Sequence, residues 1–235
     1  MIHAINLMKH ILLFLSLGFA FCLDVSLAQT PEPTPTSNTA DPIAWSQALI
    51  EKHRQGESTL EIQEKIKSIS VDDLAQALPN DDAKRTFWMN VYNGFVQVLL
   101  TDNPALFDDR VQFFTQPRVW VAGRKLSLDD IEHGIIRGSR VKWTLGYTQS
   151  IFVSSYERKL RVNSRDGRIH FSLNCGAKSC PPVAVFRLGD VNEQMDVLSK
   201  NYLENYTQVD LKNRKVTASP LMSWFRADFG GKKGV

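Results

Sequence analysis

The sequence has few cysteines, no repeat and no charge imbalance large enough to name a partner. Only 3 of its 235 residues are Cys, too few for a cysteine-dense scaffold. Gly (13) and Pro (10) are too sparse for a collagen-like chain. The 28 basic residues exceed the 25 acidic ones by only +3, which indicates neither a nucleic acid nor a membrane surface as partner. No apolar run reaches the ~20 residues of an ordinary membrane span, and nothing calls for a cofactor. What is present, 43% hydrophobic and 10% aromatic residues, excludes a disordered chain.

Residues 1–28 read as a secretory signal. Lys9 and His10 precede the apolar run from Ile11 to Leu23, and Ser26-Leu27-Ala28 offers a small-x-small cleavage pattern. Processing there starts the mature chain at Gln29 and places it in the periplasm or outside the cell. A lipoprotein anchored through Cys22 is disfavoured by the bulky Phe21 before it. Residues 29–40, QTPEPTPTSNTA, form a Pro/Thr-rich linker. Residues 41–235 then make a single globular domain with no second long apolar segment, hence no stable membrane span once the signal is gone.

Helices and strands are interspersed without a βαβ rhythm. That predicts an α+β fold: a central buried helix packed on a small, mostly antiparallel sheet, with peripheral helices. Asp41-Pro42 opens a helix to about Arg54, and Ser70-Val71-Asp72-Asp73 caps another to Leu78. The central helix starts at Asn80 and runs to about Leu100, because its apolar residues cover nearly the whole circumference. Val119–Val121 and Lys125-Leu126 read as strands, and Ser127 caps a helix ending near Gly138. Residues 151–162 read as a hairpin, 168–174 as a strand, 183–186 as strand-like, 190–205 as a helix capped by Asp190, 209–217 as a hairpin and 221–229 as a last helix.

Three constellations carry chemistry. His170, Cys175 and Cys180 lie within RIHFSLNCGAKSCPP. A Cys175–Cys180 disulfide, a cysteine nucleophile with His170 or His133 as its base, and a zinc site completed by Glu132 or His133 are the competing readings. The second is Asp129-Asp130-Ile131-Glu132-His133. Helical spacing there places Asp129 and His133 on one face, either orienting an imidazole or merely complementing the helix dipole. The third is Asn90 and Asn93 in the central helix. Their amides either pin a loop such as 174–180 or polarise a substrate carbonyl.

FWMNVYNGFVQVLL, LSLDDIEHGIIRG, RIHFSLNCGAKSCPPV and LMSWFRADFG occur in this order. Together they resemble the domain-of-unknown-function family 547 (DUF547) over roughly residues 80–230. The family motifs fall on Trp88, Asn90, Tyr92, Asn93, Leu126, Asp129, Asp130, Glu132, His133, Gly134, His170, Cys175, Gly176, Ser179 and Cys180 to Pro182. Met89 departs from the expected aliphatic residue, and the 139–167 insert is longer than in many members. The resemblance implies no established activity. A looser likeness to papain-like and transglutaminase-like hydrolases stops at the fold, since the central helix begins with Asn80, Asp81 and Asp82 and no cysteine.

Two functions are expected to compete. One is an exported Cys/His-dependent hydrolase or acyl transferase acting on an amide or ester of a small-molecule or peptide substrate. Cys180 or Cys175 is then the nucleophile, His170 the base, Glu132 or His133 the orienting group and Asn93 the oxyanion donor. The other is a non-catalytic envelope or extracellular binding module stapled by Cys175–Cys180. The enzyme reading requires the 128–138 helix and the 170–182 segment to meet at one cleft.

Overall fold

Asn80 begins the longest helix because its side chain accepts a hydrogen bond from Ala83 N at 2.9 Å, while Asp81 and Asp82 sit at the positive end of the helix dipole. The computed structural model describes residues 40–176 and 183–234, so the expected signal peptide, the linker up to Thr39 and Cys180 lie outside the described residues. The fold is α+β. Its helices are α1 (Pro42–Arg54), α2 (Leu60–Ser68), α3 (Val71–Ala77), α4 (Asp81–Asp102), α5 (Arg110–Thr115), α6 (Ser155–Leu160), α7 (Val191–Tyr206) and α8 (Leu221–Trp224).

Helix α4 is buried from Ala83 to Val96, around its full circumference. It packs most extensively on α1, and the contact is close because Gly94 lacks a side chain. A Cβ at Gly94 would lie 2.7 Å from Leu49 Cδ2. Ile62 and Ile66 of α2, Leu74 and Leu78 around α3, and Phe113 of α5 close the core around α4. Aromatic residues Phe87 and Trp88 meet edge to face at 5.1 Å within it.

Among the described residues the β component is two separate antiparallel hairpins rather than one sheet. In the first, β1 (Val119–Val121) pairs with β2 (Arg124–Leu126) in the register Val119↔Leu126. The two turn residues, Ala122 (φ 46°) and Gly123 (φ 72°), both adopt the left-handed backbone that a tight hairpin turn requires. Val119, Val121 and Leu126 face the core. The second hairpin, β3 (Gln208–Asp210) with β4 (Lys215–Thr217), is exposed throughout.

Three expected elements differ. Residues 168–174 are not a strand. Gly167–Phe171 form a 3-10 turn that buries Ile169, His170 and Phe171 together, with Asp166 accepting from Arg168 N. Among the described residues, no neighbouring strand is placed to complete a ladder there. Residues 151–162 are not a hairpin. Ser154 Oγ accepts from Glu157 N and caps α6, the S-x-x-E signature that alternation obscured. Residues 183–187 form no regular element.

The segment after Ser127 is helical but wide. Ser127 and Asp130 cap each other reciprocally, at 2.9 and 3.0 Å. The chain then makes a π-helical turn, Asp130–Ile136, in which Arg137 N donates to Glu132 O and Ser139 N to Gly134 O, each five residues back.

Candidate active site

The π turn faces the 3-10 turn across a cleft of about 450 Å³. Glu132 and His133 come from the first turn, His170 from the second, Tyr92 from α4 and Cys175 from the loop after Leu173. Phe114, Leu173, Leu221, Trp224 and Phe225 supply much of the apolar wall. The two motif segments therefore meet on one side of the molecule.

His170 is fixed on two sides. Its ring stacks on Phe225 at 3.8 Å with planes 9° apart, and its Nε2 hydrogen-bonds Asp228 Oδ2 at 2.9 Å. A proton held at Nε2 by the carboxylate leaves Nδ1 as the basic nitrogen. The same Asp228 oxygen accepts from Arg137 Nε at 2.6 Å, and both side chains of that ion pair are 1% exposed. Burial pushes the Asp228 carboxyl up, but the bonds from His170 and Arg137 outweigh it and hold it below the usual carboxylate range.

Arg137 also donates from Nη1 to His133 Nδ1 at 2.9 Å. An arginine cannot accept, so His133 Nδ1 is the acceptor and its proton sits on Nε2. Nε2 lies 3.7 Å from Asp129 Oδ1, and Lys142 Nζ donates to Asp129 Oδ2 at 2.7 Å. Burial, reinforced by the Arg137 charge, lowers the His133 pKa to about 3. His133 is thus a neutral imidazole whose Nδ1 is occupied, which removes it as a base at neutral pH.

Glu132 behaves oppositely. Burial raises its pKa, against the pull of the His170 and Arg137 charges. Tyr92 OH donates to Glu132 Oε2 at 3.4 Å. The Tyr92 hydroxyl is itself held protonated, by burial first and then by Glu132 and Asp129. The two carboxyls are thus moved in opposite directions, Asp228 toward the anion by its two donors and Glu132 toward the acid by burial.

Asn93 does not line the cleft. It is fully buried, its Nδ2 donates to Ser172 O at 3.1 Å, and its Oδ1 accepts from Asn174 N at 2.8 Å. Three residues earlier, Asn90 Nδ2 donates to Phe186 O at 3.0 Å and its Oδ1 accepts from Phe186 N at 2.8 Å. The two amides grip the chain on both sides of the cysteine loop. That is a positioning role in place of the expected oxyanion contact, because both amide ends are consumed by backbone.

Sequence reasoning missed Arg137, Asp228, Tyr92 and Phe225 as site residues. Arg137 was marked by its place in LSLDDIEHGIIRG and its i,i+4 relation to His133, and Asp228 by its place in the closing LMSWFRADFG motif. Among the described residues, no group of three or more His, Cys, Asp or Glu is arranged to hold a metal ion.

Fold and site together define a small α+β protein whose cleft is built around a carboxylate-held histidine. The chain belongs to the family described as "Protein of unknown function, DUF547", which matches residues 76–203, just over half of its length. No curated protein and no solved structure matches it.

Proposed function

We propose that the cleft is the active site of a hydrolase or acyl transferase acting on an amide or ester. The observation that carries this is the Asp228–His170 dyad opening, with the acid-shifted Glu132, onto an apolar cleft of about 450 Å³. His170 Nδ1 takes the proton from the nucleophile as it adds to the carbonyl carbon. Glu132, whose carboxyl burial shifts toward the acid form, is the group that gives a proton to the departing amine or alcohol. Passing the His170 proton to Glu132 then resets the pair. His133 Nε2–H and Tyr92 OH act as donors rather than bases.

The nucleophile is water, or an acceptor alcohol or amine in the transferase case, because Cys175 is disulfide-bonded and offers no thiolate. The deciding measurement is a mass count of Cys175 and Cys180 alkylation before and after reduction, combined with Cys175→Ser. Activity that survives this substitution assigns the attack to water. We further propose that residues 1–28 direct export to the periplasm or beyond, where such a disulfide persists.

The test of the enzyme reading is turnover of a panel of p-nitrophenyl acyl esters and amino-acid anilides. His170→Ala is expected to lower kcat/KM by about a hundredfold or more, and Glu132→Gln to lose mainly kcat. Unchanged rates in His170→Ala sink the reading.

A non-catalytic envelope module, stapled by Cys175–Cys180, is favoured by a different observation. The His170–Asp228–Arg137 network is nearly sealed, with side chains 1–2% exposed, as in a structural fastening. In that case no ester or anilide turns over, and Asp228→Asn changes only the melting temperature.

A further inference from the structure

We infer that the face formed by residues 119–160 docks on the surface of a bilayer carrying anionic lipids. This inference stands independently of the catalytic reading.

The segment 139–152 bends back on itself. Val141 N donates to Thr148 O, Ser150 N donates to Ser139 O, and Arg140 bridges Gln149. Its largest apolar residues point into solvent: Trp143 is 84% exposed, Ile151 85% and Phe152 88%. Tyr147 and Leu145 are exposed beside them, and so is Trp120 on β1. Aliphatic and aromatic groups left bare at this density mark an interaction surface rather than chance.

The surrounding charge selects the partner. Residues 119–160 hold seven Lys and Arg against four Asp and Glu, an excess equal to that of the whole chain. Burial sharpens the asymmetry. Arg124, Lys125 and Arg158 are exposed with no ion pair among the described residues, whereas Lys142 is paired with Asp129, Lys159 with the exposed Asp72 of α3, and Asp130 is exposed. Of the other carboxylates, Asp129 binds Lys142, Glu157 the Ser139 hydroxyl and Glu132 the Tyr92 hydroxyl. Among the described residues, Arg124, Arg140 and Arg158 form no ion pair; Arg124 bonds Ser154 Oγ and lies over the Tyr156 ring, and Arg158 bonds Val153 O.

Arg124, Arg140, Lys142 and Trp143 line one hollow of about 350 Å³, together with Asp129, Asp130 and Glu157. It shares the Asp129, His133 and Lys142 wall with the candidate active site. The exposed Trp143, Ile151 and Phe152 of the 139–152 segment, with Arg124 and Arg158, unpaired among the described residues, fit the headgroup–acyl boundary, where basic residues meet anionic headgroups and apolar tips enter below them. A nucleic acid explains the cations but not Ile151 and Phe152.

The apolar run at residues 11–23 can itself meet lipid, so the readout must be local. Trp143 fluorescence is measured as the difference between the full chain and its Trp143→Phe variant, with vesicles whose acyl chains are brominated. Vesicles containing phosphatidylglycerol are expected to quench the Trp143 signal, and pure phosphatidylcholine to leave it. Ile151→Ser with Phe152→Ser is expected to abolish the quenching while far-UV circular dichroism stays unchanged. Each of Arg124→Gln and Arg158→Gln is expected to raise the lipid needed about fivefold, as does added salt. Three results overturn the proposal: no quenching with anionic vesicles, equal quenching in the Ser double variant, or a dimer in light scattering that the Ser double variant dissolves.

Discussion

Asn93 is the residue where a single substitution separates positioning from packing. Its amide meets Ser172 O and Asn174 N, and all three groups are buried or partly so. Asn93→Ala leaves a backbone donor and a backbone acceptor without partners. It is expected to cost roughly 2–4 kcal/mol, read as a lower urea midpoint with unchanged slope. The two histidines were legible from the sequence as chemical types, but their states were not. His133 is silenced by Arg137, four residues on, and His170 is held by Asp228, 58 residues away. The His133 effect is measurable. An unfolded imidazole titrates near 6.5 and the folded one at about 3. Between those values the unfolded chain binds the extra proton, so stability is lost as pH falls from 6.5 toward 3. Asp228 acts in the same direction at the lower end, since its folded carboxyl titrates below its ordinary value and its contribution disappears as pH falls through that point. Glu132 opposes both, because a raised carboxyl costs stability as pH rises past its ordinary value. His133→Gln keeps an acceptor for Arg137 but cannot titrate. Its stability is expected to vary with pH by a few kcal/mol less than that of the parent between pH 6.5 and 3, measured by denaturation at stepped pH.

At the scale of elements, local chemistry was readable and tertiary preference was not. Asn80, Ser70 and Asp41 announce their helices because a cap is satisfied within three residues. The stretch 168–174 misleads because alternating apolar residues suit a strand only when a neighbouring strand exists, and here the partner is the tail bearing Phe225 and Phe229. The central helix was legible from its all-round apolar surface. Its close approach to α1 was not, since Gly94 has meaning only once Leu49 is opposite. Gly94→Ala places a methyl 2.7 Å from Leu49 Cδ2 and 2.9 Å from Leu49 Cγ. It is expected to destabilise by about 1–3 kcal/mol through overpacking, even though alanine favours helix. Leu49→Val in the same chain should recover part of that loss, a non-additivity that thermal melts of the four variants would reveal.

Across the whole molecule, the network is closed by residues far apart in sequence. The family match ends at residue 203, while the carboxylate that organises both imidazoles is Asp228. The tail from Ser219 to Phe229 is therefore a wall of the site as well as a terminus: Ala227 N is held by Leu145 O, and Phe225 roofs His170. Removing one member of the buried Arg137–Asp228 pair strands the other charge in a medium that cannot solvate it. Asp228→Leu is expected to cost about 3–5 kcal/mol, and Arg137→Met a similar amount. Replacing both removes the stranded charge, so the double variant should be more stable than either single one, short by about two hydrogen bonds because His170 Nε2 then lacks its acceptor and His133 Nδ1 its donor. Calorimetric melts at pH 7 decide the matter. If the double variant melts at the sum of the single losses, the pair is not coupled, and the tail is held by its aromatic contacts alone. If it rises above both, charge neutralisation between residues 91 positions apart is what fastens the tail over the cleft.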